Sequence, residues 1–482
     1  MSPKTDYRIS DKGKFKYQLW LYGLKLLNIG LITVPFALCW YLFYADNITT
    51  PFFNKGNWLV VAMFAVLYYM FCKLYNGFKI SIIRMSEIVY SQSLSLLIAD
   101  TFMYFVISLL TSAFVFVPPI LVAFVVQEIL SVLWTLFAHR LYFRKVKPMR
   151  TVVIWDMREG LEKLVEAYKL DRRFDIIGTV HINECVNNIP KCLQDAEAIF
   201  LCGIHSTERN KIVKHCINAG IRVYVIPRVG DVIMSSAKPI HMFHLPMMTL
   251  ERYNPSPEYV IIKRLFDIII SCIALVVLSP LMLIVAIIIK SDGGTVLYKQ
   301  KRLTKDRKEF YVLKFRSMRM DAEKDGIARL SSGDNDDRIT PIGRVIRKLR
   351  IDELPQLFCI IQGSLSIVGP RPERPEIAEQ YEEEMPEFAL RLQAKAGLTG
   401  LAQVYGKYNT TPYDKLLMDL QYIANPSLVE DLKIMFATVK ILFMPESTEG
   451  VAEGQTTAAE HTYEQRAGNN EFNTTHIQEL LK

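Results

Sequence analysis

Four apolar stretches, each close to the length of a membrane-spanning helix, constrain this 482-residue chain more than any other feature. They cover roughly residues 18–44, 57–75, 98–117 and 119–138. About 20 apolar residues cross the hydrocarbon core of a bilayer as a helix. Hydrophobic residues make up 51% of the chain and concentrate before residue 140 and again at 268–289. The sequence therefore predicts an integral membrane protein with soluble domains.

Basic residues are distributed unevenly between the loops that join these stretches. The first loop contains only Lys55, whereas the second contains Lys79 and Arg84, and five bases follow the fourth stretch up to Arg150. The positive-inside rule then predicts that residues 1–16, the second loop and everything after the fourth helix are cytoplasmic. We expect no internal charge marking an ion or proton path, so the four helices of residues 17–140 indicate an anchor, which is compatible with a homodimer.

Net charge indicates the kind of binding partner, and cysteine spacing indicates the state of the thiols. The formal charge is +8, and the bases lie beside apolar runs, which favours an anionic membrane surface or phosphate substrates over nucleic acid. None of the eight cysteines forms a CxxC pair. Reduced thiols are therefore favoured over a zinc site or a disulfide framework.

Residues 150–236 alternate short apolar strands with helical patterns. Strands are predicted at 151–155, 174–180, 198–202 and 221–226, with helices near 158–169 and 206–219. This alternation predicts a parallel sheet in a Rossmann-like α/β domain. Only one glycine follows the first strand, where a dinucleotide-binding turn needs three, so a structural or regulatory role is favoured. Residues 237–262 form a connector.

Residues 268–289 are apolar and free of charge, yet they differ from an ordinary span. Ser279 and Pro280 lie in the middle, and a proline removes a backbone donor and collides with the preceding turn. Basic residues flank both ends. We therefore predict a re-entrant hairpin that breaks at Ser279 and Pro280 and returns to the cytoplasmic face. The alternative is a Pro-kinked span that exports everything after residue 290.

Residues 290–445 are rich in short basic motifs. Predicted strands at 297–302 and 310–318 end in basic residues, which fits either solvated edge strands or a basic wall for phosphates. Thr340 is a good helix N-cap, and Pro341 suits the first helical position. The helix that they start carries Arg344, Arg347 and Lys348 on one face and ends just before a pair of carboxylates.

These carboxylates, Asp352 and Glu353, can be interpreted in two ways. On position alone, Asp352 would cap a helix, with Glu353 and Pro355 in its first turn. The neighbourhood favours a site for a metal and a phosphate, because Arg371 lies between two prolines in a Gly-rich stretch and is well placed for a bidentate phosphate contact. A second Gly-rich loop follows at 396–404.

Six motifs occur in one order over about 180 residues, 263–443. They are Lys263-Arg264 with Asp267, Ser279-Pro280, 314–318, 352–356, 369–372 and 397–400. In these motifs the chain resembles the bacterial sugar transferases, the monotopic polyprenol-phosphate phosphoglycosyl transferase family. The four preceding spans and the Rossmann-like domain resemble the large form of that family. Leu401 and Lys407 stand where tryptophan and arginine are usual in that family. The motifs therefore do not identify the sugar that is transferred.

The resemblance implies a catalytic domain at 263–445 on the cytoplasmic face of a bacterial inner membrane. Its reaction would transfer sugar-1-phosphate from a UDP-sugar to undecaprenyl phosphate, releasing UMP and starting an exopolysaccharide, capsule or O-antigen. By the resemblance, Asp352 is the nucleophile and carries a covalent phosphosugar. Carboxylates can do this without a histidine base.

Phosphoryl transfer depends on positioning and on neutralising charge, which argues for Mg²⁺ held by Glu353 and Asp352. Lys314, Arg347 and Arg371 would bind substrate phosphates. An inactive membrane scaffold and a nucleotide-sensing regulator acting through residues 150–236 remain as alternatives. The polar tail, residues 446–482, is predicted to be mostly disordered and has no assigned function.

Overall fold

The computed structural model describes residues 11–50, 52, 55–156, 161, 165, 170–291, 293–319, 338–406 and 410–442. Most of the predicted helix near 158–169, Lys407 and the tail 446–482 lie outside the described residues. The chain divides into two compact units, Met1–Pro227 and Arg228–Lys482. Each unit is described on its own, and the finer domain boundaries given above stay predictions.

The first unit begins with long apolar helices. They are α1 (Asp11–Cys39), α2 (Gly56–Leu74), α3 (Met85–Leu110) and α4 (Pro118–Lys145). Five helices in the described part of the chain, these four and one in the second unit, are long and apolar enough to cross a membrane. Large apolar side chains remain exposed along them, as expected for helices that face lipid. The helices are consistent with a membrane protein.

The interior of this helical bundle is more polar than predicted. The expectation that no span carries an internal charge is wrong, because Asp100 lies within α3 and Glu128 within α4. Ser93 donates a hydrogen bond to Glu128 (2.6 Å), and Ser131 donates one to Gln92 (2.6 Å). Such pairs hold helices together where neither lipid nor water can satisfy them. Neither Asp100 oxygen has a hydrogen-bond partner among the described residues.

The Rossmann-like prediction is confirmed in the rest of this unit. The strands β1 (Met149–Trp155), β2 (Phe174–His181), β3 (Ala198–Cys202) and β4 (Arg222–Ile226) form a parallel sheet in the order β2-β1-β3-β4. The described helices are α5 (Ile182–Asn187), α6 (Ile189–Cys192) and α7 (Ser206–Ala219). Apolar side chains from the sheet and these helices form one core.

The second unit opens with α8 (Val229–Ser235) and an antiparallel hairpin, β5 (Lys238–Met242) and β6 (Leu245–Thr249). This hairpin lies inside the predicted connector and was not predicted. Its two-residue turn holds Phe243 and His244 at φ of 56° and 62°. Turns of this type usually contain asparagine or glycine, so the usual signal is missing.

Helix α9 (Pro257–Ser291) contains the predicted re-entrant segment and stays helical throughout. The break predicted at Ser279 and Pro280 is therefore not observed. Pro280 cannot donate to the carbonyl of Val276, four residues earlier. The hydroxyl of Ser279 donates to that carbonyl instead (2.8 Å), which removes the penalty of an unpaired carbonyl and lets the helix continue.

The remaining elements form the body of the second unit. Its strands are β7 (Leu297–Leu303) antiparallel to β8 (Glu309–Phe315), and β9 (Ser366–Val368) parallel to β10 (Gly397–Thr399). Its helices are α10 (Pro341–Lys348), α11 (Gln356–Gln362), α12 (Pro375–Glu384), α13 (Leu401–Tyr405), α14 (Pro412–Ala424) and α15 (Leu428–Leu442). One apolar core connects β7, β8, β9 and helices α11 to α15.

Both ends of the apolar part of α9 are bonded to this body. Near one end, the buried Asp267 accepts hydrogen bonds from the hydroxyl of Ser366 (2.8 Å) and the backbone N–H of Ile367 (3.1 Å). Near the other end, Arg316 donates to the carbonyl of Ile289 (3.1 Å). These contacts fix α9 against β9 and against the end of β8.

Replacing Asp267 tests how much this attachment contributes. Asp267→Ala leaves the Ile367 N–H buried without an acceptor, so we expect a loss of about 3 kcal/mol of folding free energy. In detergent, the thermal unfolding midpoint followed by intrinsic fluorescence should fall by roughly 5–10 °C. Ser366→Ala, the matched control, removes only one of the two bonds and should have a clearly smaller effect. Equal midpoints for the two variants would contradict this account.

Candidate active site

Helix α10 and the turn after it position the two predicted carboxylates. The predicted start is confirmed, because the Thr340 hydroxyl accepts a hydrogen bond from the N–H of Gly343 (3.0 Å). After the helix ends, Arg350 adopts a left-handed conformation, with φ of 56°. This is uncommon for a residue other than glycine and redirects the chain sharply.

Residues Ile351–Glu353 then form a short 3-10 turn, and α11 begins afterwards with Pro355 as its N-cap. The alternative interpretation, in which Asp352 caps a helix, is therefore wrong, and the favoured interpretation of a functional pair remains. The left-handed Arg350 starts a separate turn, in which neither carboxylate is used for capping. Both side chains are thus left available for other contacts.

Glu353 forms more ion pairs than any other described side chain of the site. Its side chain is 13% exposed, and three cations surround a single oxygen, Oε1. The distances from Oε1 are 3.1 Å to Arg371 Nη2, 3.6 Å to Lys314 Nζ and 3.9 Å to Arg350 Nη1. Burial alone would raise the pKa of Glu353, but Arg371, Lys314 and Arg350 hold that pKa well below its ordinary value. Glu353 is therefore ionised.

Asp352 lies beside it in a different environment. Its side chain is buried, and it forms neither a hydrogen bond nor an ion pair within the described part of the chain. Burial and the adjacent charge of Glu353 raise the pKa of Asp352 to about 6, against the opposing effect of Lys314, Arg347 and Arg350. The pKa of Asp352 is thus raised while that of its neighbour Glu353 is lowered, as in many sites where two acids have different roles.

The structure brings Lys314 and Arg371 into direct contact with Glu353 and places Arg347 where its charge acts on Asp352. Arg347 itself makes no ion pair among the described residues. Arg350 was missed as a site residue in the sequence. Its position three residues before Glu353 is a helical spacing that could have identified it. The other two predicted residues, Ser279 and Pro280, lie exposed in the middle of α9.

Close backbone packing explains the Gly-rich stretches beside Arg371. A Cβ atom added to Gly369 would lie 2.3 Å from the carbonyl oxygen of Lys395, and one added to Gly397 would lie 2.1 Å from the N of Gly369. Any larger side chain at either position would therefore force β9 and β10 apart. The glycines serve close packing around the loop that carries Arg371, and the Leu401 side chain is buried in the same core.

The donor set suits a magnesium ion that is shared with a substrate. No group of three or more histidine, cysteine or acidic side chains is arranged around a metal in the described residues. Magnesium, however, is usually held by one or two carboxylates together with substrate phosphates. Asp352, a buried carboxylate without a partner next to the ionised Glu353, fits that arrangement.

The site thus has the character of a phosphate-handling centre, with two carboxylates surrounded by partly exposed cations. Comparison with known proteins gives its class. Residues 258–445 match the family model described as Bacterial sugar transferase. The chain is 42% identical over 189 residues to the exopolysaccharide production protein PSS of Rhizobium leguminosarum bv. phaseoli, covering 37% of this chain and 94% of that protein. The chain belongs to the bacterial sugar transferase family.

Two other relatives are matched over a smaller share of their own length. One, from Aeromonas hydrophila, is UDP-N-acetylgalactosamine-undecaprenyl-phosphate N-acetylgalactosaminephosphotransferase, 37% identical over 239 residues (49% of this chain, 55% of the relative). The other, from Escherichia coli (strain K12), is UDP-glucose:undecaprenyl-phosphate glucose-1-phosphate transferase, 30% identical over 286 residues (55% of this chain, 61% of the relative). The match therefore spans little more than half the length of these two relatives.

The acidity of Asp352 can be measured without any substrate. We expect the infrared band of its protonated carboxyl group, identified as the band lost in Asp352→Asn, to titrate with a midpoint near pH 6. A carboxyl group is neutral below its pKa and ionised above it, so the band of the protonated group should be lost as the pH rises through 6. Glu353→Gln removes a neighbouring negative charge and should move the midpoint to lower pH. A midpoint near pH 4 that is insensitive to Glu353→Gln would contradict the assignment.

Proposed function

We propose that this protein transfers sugar-1-phosphate from a UDP-sugar to undecaprenyl phosphate, giving undecaprenyl-diphosphate-sugar and UMP. This reaction would start the synthesis of an exopolysaccharide, a capsule or an O-antigen. The observation that carries the proposal is the buried pair Asp352 and Glu353 with Lys314, Arg350 and Arg371 around it. This pair lies inside the family segment, and several relatives are named as undecaprenyl-phosphate sugar phosphotransferases.

In the first half-reaction, an oxygen of Asp352 attacks the β-phosphorus of the UDP-sugar. A bond forms between Asp352 and that phosphorus while the bond from phosphorus to the bridging oxygen breaks, so UMP leaves with the electron pair. Asp352 is ionised above about pH 6 and forms no ion pair among the described residues, so one of its two oxygens is free to attack. Arg371 and Lys314 neutralise charge on the phosphates.

In the second half-reaction, a phosphate oxygen of undecaprenyl phosphate attacks the same phosphorus. The bond from phosphorus to Asp352 breaks, the carboxylate is restored, and the diphosphate of the lipid-linked product is formed. The attacking oxygen is already ionised at neutral pH, so neither half-reaction needs a histidine base. Arg347, which is partly buried and acts on Asp352 without direct pairing, would help to hold this second phosphate.

Glu353 and Asp352 would hold Mg²⁺ together with the diphosphate of the donor. When bound, the ion supplies further neutralisation of charge on the transferred and leaving phosphate groups. Glu353 suits this role because it is ionised at any working pH, and its second oxygen, Oε2, takes part in none of the three ion pairs.

We also propose that the first unit crosses the membrane four times and that α9 enters the cytoplasmic side of the membrane without crossing it. Asp267 and Ile289, at the two ends of its apolar part, are both bonded to the same body of the second unit. These residues lie about 33 Å apart in an unbroken helix, close to the thickness of the hydrocarbon core. A helix that crossed the membrane would carry one of them to the side opposite the body to which both are bonded. Only 11% of the most apolar part of α9 is buried within the protein, against 33–39% for the other four helices. The rest of its surface is thus available for contact with lipid.

Purified protein with undecaprenyl phosphate, Mg²⁺ and a panel of UDP-sugars tests the reaction through release of UMP. We expect release with one or a few of the sugars and none when EDTA removes the metal. Asp352→Asn should reduce the rate by at least about a thousandfold, because the nucleophile is lost. A radiolabelled sugar phosphate should remain on the acid-quenched wild type and be absent from Asp352→Asn.

The same assay separates the alternatives. Release of UMP that survives Asp352→Asn would exclude Asp352 as the nucleophile. No release with any UDP-sugar would favour an inactive membrane scaffold. UDP-sugar binding that is abolished by deletion of residues 150–236, with no turnover by the full chain, would favour a nucleotide-sensing regulator.

Cysteine labelling in intact cells tests the placement of α9. A membrane-impermeant maleimide is applied to Ile262→Cys and Ser291→Cys, both in a Cys272→Ser background because Cys272 is exposed on α9. We expect both cysteines to be protected in intact cells and labelled in inverted vesicles. Ala113→Cys lies in the loop between α3 and α4, which four crossings would place outside the cell. It should behave in the opposite way and is the control. Labelling of Ser291→Cys alone from outside would mean that α9 crosses the membrane.

A further inference from the structure

The segment that carries Arg371 is unusually well fixed along its backbone. Four consecutive carbonyl groups, those of residues 370–373, all accept hydrogen bonds. The first and the last are bound by the backbone N–H groups of Gly397 (2.9 Å) and Leu303 (3.0 Å). The middle two belong to Arg371 and Pro372, and their donors are side chains rather than the backbone.

Two buried arginines supply these side-chain donors. Arg391, from the 3-10 helix Pro386–Gln393, donates from Nη2 to the carbonyl of Arg371 (2.8 Å). Arg302, on β7, donates from Nη1 to the carbonyl of Pro372 (2.9 Å). The Arg391 side chain is 4% exposed and the Arg302 side chain 15% exposed.

Acidic side chains link and neutralise the two arginines. Glu373 lies between them, with one oxygen 3.6 Å from Arg391 Nη1 and the other 3.6 Å from Arg302 Nη1. Asp419, on α14, lies 2.6 Å from Arg391 Nη2. Burial acts to raise the pKa of Glu373, but Arg391 and Arg302 hold it below its usual value. Each buried positive charge therefore has a negative partner, the condition under which buried ion pairs are tolerated.

None of these residues contacts Asp352 or Glu353 in the described structure, although the charge of Arg302 acts on Glu353 and Lys314. The effect of Arg391 and Glu373 on the site would therefore pass through Arg371. Pro370 and Pro372 fix φ on both sides of Arg371. With the neighbouring carbonyls also bound, the direction in which the Arg371 side chain leaves the backbone is determined. That side chain reaches Glu353 Oε1 at 3.1 Å.

We propose that Arg302, Glu373 and Arg391 form a clamp of positioning residues that holds the Arg371 guanidinium toward Glu353 and the substrate phosphate. The clamp rests on the proposed function for its substrate, a nucleoside diphosphate sugar. It acts on catalysis because phosphoryl transfer is sensitive to small displacements of the groups that neutralise charge.

A double-mutant cycle between Arg391 and Arg371 tests the clamp. Arg391→Lys keeps the buried charge beside Asp419, but a single ammonium group cannot also reproduce the contacts with the Arg371 carbonyl and Glu373. We expect it to lower kcat for UMP release by at least about tenfold, and to lower the thermal midpoint as well, because a buried carbonyl loses its donor. Adding Arg391→Lys to Arg371→Lys should lower kcat no further, because Arg391 acts only through Arg371.

Arg307→Lys is the matched control, because Arg307 is a half-exposed arginine of the same unit that pairs with Glu382 outside the clamp. It should leave kcat unchanged within about twofold. If Arg391→Lys fails to fold, Glu373→Gln replaces it in the cycle and should show the same lack of additivity with Arg371→Lys. Effects that multiply fully in the double variant would overturn the clamp, because a general structural role predicts independent losses.

The same cycle is measured on the affinity for UDP by calorimetry, so that a failure of the clamp can be told from a failure of the proposed function. Wild-type protein that binds UDP without releasing UMP, while the affinity cycle is non-additive, would overturn the proposed reaction and support the clamp. Normal turnover with additive effects in both measurements would support the reaction and overturn the clamp.

Discussion

The convergence of three cations on one oxygen of Glu353 is the interaction on which the second unit depends most. Lys314 comes from β8, Arg350 from the turn after α10, and Arg371 from the loop after β9. A buried carboxylate is costly unless it is paired, and unpaired buried cations are costly as well. The three segments therefore stabilise one another only when all of them meet at Glu353. Asp352, next to it, is left as a buried carboxylate without a direct partner.

Features set by local chemistry could be predicted from the sequence. The strands of the Rossmann-like domain, the apolar helices and the Thr340 cap each follow from the pattern of neighbouring residues. Asp352, Glu353, Lys314 and Arg371 were found because they lie in short, distinctive motifs. Arg302 and Arg391 were not found, since they reach the carbonyls of Pro372 and Arg371 from 70 and 20 positions away in the chain.

The unbroken helix α9 shows how one residue can compensate for another. Pro280 should break a helix, but the Ser279 hydroxyl satisfies the carbonyl that the proline leaves unpaired. A rule about single residues does not include such a partner. The charges inside the spans have a different explanation, because Asp100 and Glu128 can be read from the sequence itself within the predicted stretches 98–117 and 119–138. The structure adds that Ser93, on a neighbouring helix, binds Glu128.

The raised pKa of Asp352 suits a group that must act twice in the proposed reaction. A carboxylate whose conjugate acid has a pKa of about 6 is more basic than an ordinary aspartate, which makes it a better nucleophile toward phosphorus. It is still far less basic than an alkoxide, so it remains a good leaving group when the lipid phosphate attacks. Glu353 contributes to both properties, because its fixed negative charge raises the basicity of Asp352 while its cations remain available to the phosphates. The unequal acidity of two adjacent carboxyl groups thus serves formation and breakdown of one intermediate.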